Sequence, residues 1–176
     1  MRGEHKRAIE LLHRMVELHP DDAGYHFLLF RNYTETGMSR EAVPELERTF
    51  TVMGFPKIAA DLHRAFAASG YRGAMRVFAK ALEDFDATGK GFFPEALAYA
   101  HLALGDKDRA FYWLEQAYKR RENVSADWGL MIIKEDHLLD PLRSDPRFGD
   151  LMRLVGLPEE QASDLGASRN GTDTTR

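Results

Sequence analysis

Three glycines set the frame of this chain. Gly37, Gly70 and Gly105 each stand between two amphipathic runs, and the intervals between them are 33 and 35 residues. A period in the range of roughly 20 to 50 residues constrains a fold more than composition does, because each unit must bury its apolar face against the next. In AGYHFLLFRNYTETGMSREAVPELERTF, Leu29, Phe30 and Tyr33 share one helical face, the chain breaks near Gly37, and Ser39 is the expected N-cap of a helix carrying Ala42, Leu46 and Phe50. IAADLHRAFAASGYRGAMRVFAKAL repeats the pattern around Gly70, and PEALAYAHLALGDKDRAFYWLEQAY around Gly105. Ala42 and Ala110, five residues past their glycines, are small enough to let two helices approach. Met75 holds that place in the middle hairpin with Ala74 beside it, which predicts a slightly shifted crossing. Ahead of these hairpins, RAIELLHRMVELHPDD predicts one helix with Ile9, Leu12, Met15 and Val16 on its apolar face, ending before Pro20.

These segments resemble the tetratricopeptide repeat. The fit is best in the third hairpin, where Leu97, Ala98, Gly105, Ala110, Leu114 and Ala117 fall on the signature positions of that family. The resemblance implies an all-α, right-handed solenoid of antiparallel hairpins spanning residues 1–158: a half repeat at 4–20, repeats at 23–54, 56–88 and 91–122, and a helical cap at 125–158. In that register Ala8, Leu12, Met15 and Pro20 match the second helix of a repeat whose first helix is absent, so the chain is expected to begin mid-repeat. Short helices are expected around 128–133 and 136–142. In SDPRFGDLMRLVGLP, Ser144 or Asp145 caps, Pro146 starts and Gly156 ends a last helix. The ending DPLRSDPRFGDLMRLVGLP also resembles the C-terminal repeat module of multidomain bacterial signalling and transcriptional regulators. In those proteins it follows a DNA-binding, kinase or cyclase domain, none of which this chain contains. The implied role is protein–protein interaction or scaffolding, without catalysis and without a cofactor. Residues 159–176 lose apolar periodicity and are expected to form a disordered tail.

Composition narrows the field further. The net charge of −4, from 28 acidic and 24 basic side chains, offers no broad positive field for phosphate backbones or anionic lipids, so neither nucleic acid nor membrane is an expected partner. There is no cysteine, which removes disulfides, thiolate zinc sites and a thiol nucleophile. The N-terminus lacks the apolar core and cleavage site of a secretory signal, and no apolar run approaches about 18 residues, so a cytoplasmic location is expected.

Of the chemical motifs, DFDATGKGFFPE at residues 84–95 is the most suggestive. Asp84, Asp86, Thr88 and Glu95 occupy ligand positions of a twelve-residue calcium loop, with Gly89 at its turn. Against this, Gly91 replaces the usual aliphatic residue, Phe92 replaces an oxygen ligand, and there is no second loop to pair with. A helix–turn–helix junction, with Pro94 and Glu95 opening the next helix, uses the same residues, and no metal is expected. HExxH, a G-x-S-x-G elbow and a phosphate loop are all absent, so no enzyme is expected.

The tetratricopeptide resemblance, projected residue by residue, places partner-contacting positions at Phe27, Arg31 and Glu35; at Lys57, Arg64 and Ala68; and at Phe92, Glu95 and Tyr99. Arg31, Arg64 and Tyr99 would then line one face suited to an acidic extended peptide. The lysine–asparagine clamp of members that bind chaperone C-termini does not match. The alternative is self-association, forming a homodimer through Leu11, Leu12 and Met15 on the uncovered first helix.

Overall fold

A computed structural model of the chain describes residues 2–91, 93–120 and 136–155. The described residues are helical, with no strand among them. The order is α1 (Arg2–Leu18), α2 (Ala23–Glu35), α3 (Ser39–Val52), α4 (Pro56–Ala87), α5 (Pro94–Leu104), α6 (Lys107–Arg120), a 3-10 turn (His137–Leu139), α7 (Asp140–Arg143) and α8 (Pro146–Leu154). The helix expected around 128–133, the Gly156 stop and the tail at 159–176 lie outside the described residues. No described helix is long and apolar enough to cross a membrane.

Local chemistry explains the boundaries. The Asp22 side chain accepts the Gly24 amide at 2.8 Å and opens α2, while Asp145 rather than Ser144 caps α8 ahead of Pro146. Ser39 does not cap α3. The N-cap is Met38, whose carbonyl accepts the Ala42 amide at 2.9 Å, so Ser39 is already helical. Gly37 and Gly105 end α2 and α5 in the left-handed region, at φ 75° and 82°.

Helix α4 is itself a hairpin. At Ser69 and Gly70 the backbone leaves helical geometry, with Gly70 at φ 62° and ψ −162°, a region open to little but glycine. A straight helix would hold Phe55 and Phe85 about 45 Å apart. Their ring centroids are 4.7 Å apart, so the chain has doubled back. The two arms meet at Gly73, where an added Cβ would lie 2.5 Å from the Ala65 carbonyl oxygen. The close approach therefore falls one or two residues before the Ala74–Met75 step expected from the repeat spacing.

The second arm of α4, residues 71–87, sits at the centre of the molecule. Phe78 packs edge-on against Phe30 of α2 and Phe50 of α3 at 5.7 and 6.0 Å, and Tyr71 shares a 3.1 Å hydrogen bond with Thr34. Arg72 donates to the Leu104 carbonyl at the end of α5. A second apolar cluster joins α5 and α6 to Leu139, Leu142, Phe148, Leu151 and Met152. Helix α1 turns Ile9, Leu12 and Val16 toward the main core. Leu12 therefore does not belong to an uncovered face. The outward stripe is Leu11 and Leu18, exposed by 53% and 70%, with Met15 half-buried beside it.

Candidate functional site

Four of the projected partner positions converge. Phe27 and Arg31 from α2, and Glu95 and Tyr99 from α5, line one cleft of about 360 Å³ together with Phe50 of α3, Met53 just after that helix, and Phe78 and Leu82 of α4. Its walls are mostly apolar, and its charged groups, Arg31 of α2 and Glu95 of α5, stand together at one end. The Arg31 guanidinium carbon lies 5.2 Å from the Tyr99 ring centroid, within cation–π range.

Asp136, at the start of the 3-10 turn, closes this end. Its side chain is 1% exposed. Oδ2 accepts Arg31 Nη2 at 2.9 Å and the Tyr99 hydroxyl, while Oδ1 accepts the Leu138 amide at 3.0 Å. Glu35 lies 3.9 Å from the same guanidinium, and His5 of α1 lies 3.4 Å from Glu35. Arg31 thus holds Asp136 closely and Glu35 at the margin of an ion pair. Two buried polar atoms of the cleft have no hydrogen-bond partner: Arg31 Nε, a donor, and Glu95 Oε1, an acceptor. Burial raises the Glu95 carboxyl above its ordinary range against the lowering pull of Arg31, and raises Glu35 in the same way. Burial also raises the Tyr99 phenol, so it serves as a hydrogen-bond donor throughout the physiological range.

Of the other projected positions, Glu35 stands beside Arg31 without lining the cleft, and the rest lie elsewhere. Lys57, Arg64 and Ala68 are exposed on the first arm of α4, and Arg64 pairs with Asp61 over a shallow depression between the two arms of that helix. Arg64 therefore does not share a face with Arg31 and Tyr99. The physical reason is the central place of α4: its second arm, not its first, stands between α2 and α5 and supplies the floor of the cleft. Phe92 lies outside the described residues.

The calcium-like residues are dispersed. Asp84 and Asp86 lie in the last turn of α4, where Asp84 pairs with Lys80 and Asp86 with Arg120 of α6. Thr88 donates its hydroxyl to the Asp84 carbonyl, and Glu95 lines the cleft. Among the described residues, no three or more histidines and carboxylates form a group able to hold a metal. His26 and His101 are buried beside Glu45 and Glu83, at 2.7 and 3.3 Å.

Sequence reasoning missed Asp136 as a partner of Arg31. Its local signal, an aspartate opening a helical turn, is readable, but nothing in the sequence connects it to an arginine 105 positions earlier. No family model, curated protein or solved structure matches the chain significantly.

Proposed function

We propose that this chain is a protein-interaction module of the tetratricopeptide kind, acting within a bacterial signalling protein. The observation that carries this reading is the cleft between α2 and α5, an apolar trough with two unsatisfied buried polar atoms at one end. Three hairpins turning at Gly37, Gly70 and Gly105 support the family resemblance. The contact between α2 and α5 departs from it, since repeats in a regular array touch only their neighbours. The module binds a peptide segment of its partner, and the test is selection from a random displayed-peptide library on the immobilised chain. Enriched peptides should compete for one site and lose binding to Phe27→Ala and Met53→Arg, which alter the wall and the mouth. Absence of enrichment, or binding indifferent to both changes, would overturn the reading.

The outward stripe on α1 favours a second reading, self-association. Leu11 and Leu18, two helical turns apart, are exposed on α1 while Ile9, Leu12 and Val16 pack on the core. Sedimentation across a concentration series should then show a dimer that Leu11→Lys and Leu18→Lys dissociate together; a monomer at every concentration removes it.

A further inference from the structure

Resting on the interaction reading above, we infer that the cleft takes a basic segment, in which a lysine or arginine neighbours a large apolar residue, and not an acidic one. Three carboxyl groups, Glu35, Glu95 and Asp136, surround the single guanidinium of Arg31. That guanidinium is committed to Asp136 at 2.9 Å, so an incoming carboxylate would find its anchor taken and would add a fourth acidic group to a largely buried site. Glu95 is the acidic group left over. Its side chain lines the cleft and its Oε1 is buried without a partner; turned toward an ammonium or guanidinium in the cleft, the carboxylate gains both the missing donor and the missing charge.

The second unsatisfied atom points to a peptide rather than a simple amine. Arg31 Nε is a buried donor without an acceptor in the same cleft, and a main-chain carbonyl next to the basic residue provides one. The adjoining apolar side chain then fills the space among Phe27, Phe78, Leu82 and Phe93. Each part of the site thus has a counterpart in one short segment.

The test uses the full chain and three pools of end-capped, fluorescein-labelled peptides. All carry a fixed phenylalanine or leucine beside one variable position, which is lysine, glutamate or glutamine. At low salt, anisotropy titration should show the lysine pool binding at least about tenfold more tightly than the glutamate pool, with glutamine between them. Glu95→Gln should bring the lysine pool down to the glutamine level, and Met53→Arg, at the exposed rim, should weaken it further. Circular dichroism of both variants checks that they fold. Equal binding of all pools, preference for glutamate, or indifference of the lysine pool to Glu95→Gln would overturn the charge assignment and leave the interaction reading standing. Binding by no pool would overturn both. A chain that sediments as a dimer, and becomes monomeric on Glu95→Gln, would make a second copy the occupant and overturn the peptide assignment.

Discussion

Replacing Asp136 with alanine removes more than one carboxylate. It deletes the acceptor for Arg31 Nη2 at 2.9 Å, for the Tyr99 hydroxyl and for the Leu138 amide, and leaves a guanidinium whose side chain is 18% exposed without its main counter-ion. Breaking a buried pair by removing one partner costs about 3–5 kcal/mol. Glu35, 3.9 Å from Arg31, can take up part of the charge, so the expected loss is at the lower end, about 3 kcal/mol. For a chain of this size that corresponds to a fall in Tm of about 6–12 °C. The assay is urea and thermal unfolding followed by far-UV circular dichroism, completed as a double-mutant cycle with Arg31→Met. Because the two residues touch, the effects should be non-additive by about 1–3 kcal/mol. Tyr99→Phe, which removes one donor to the same oxygen, should cost about 1.5–3 kcal/mol. If Asp136→Ala and Arg31→Met add to within about 0.5 kcal/mol, the two side chains are not paired, and the account of the closed end of the cleft is wrong.

Three further outcomes follow from the same geometry. Glu95 has a carboxyl raised by burial, so it favours the fold while protonated, below the ordinary carboxylate range, and that contribution is lost as pH rises through its folded value. Glu95→Gln should accordingly melt higher than wild type at pH 7 and level with it near pH 4; a difference that does not change with pH would contradict the burial argument. Gly70→Ala forces a side chain into a conformation that costs about 1–3 kcal/mol, and it should lower the urea midpoint with little change in slope. Millimolar calcium should leave Tm unchanged and give no specific heat of binding by calorimetry, because Asp84 and Asp86 are held by Lys80 and Arg120; a saturable rise in Tm that Asp84→Ala abolishes would show otherwise.

The sequence made the turns readable and left the neighbours unreadable. Gly37, Gly70 and Gly105 mark reversals because the backbone conformation demands glycine or an end to the helix at those points, and such demands are local. Amphipathic spacing likewise identified Leu29, Phe30, Leu46 and Phe50 as buried. What spacing cannot say is which apolar face meets which. Projection from equivalent repeat positions put Arg64 beside Arg31, on the premise that each hairpin touches only the next. The doubled α4 instead inserts its second arm, Phe78 and Leu82 included, beneath the cleft and leaves Arg64 outside. The polar end of the site joins Arg31, Tyr99 and Asp136 over separations of 105 and 37 residues, and no short-range signal encodes such a meeting.

Helix α5 is enclosed on more than one side, with every residue from Pro94 to His101 buried except Glu95, which is half-buried. Ala96, Leu97 and Ala100 belong to the larger apolar cluster, while Ala98 and Tyr99 belong to the smaller one formed with α6 and the C-terminal helices. A helix of this kind gains little from forming against one partner alone, because its remaining apolar surface would still face water. The two clusters are therefore not separate folding units: ordering either one depends on a strip of chain that the other must also cover. A linear stack of hairpins can fray from one end while the rest persists. Here the eleven residues of α5 tie the loss of one cluster to the exposure of the other, so the molecule should open as a single cooperative unit.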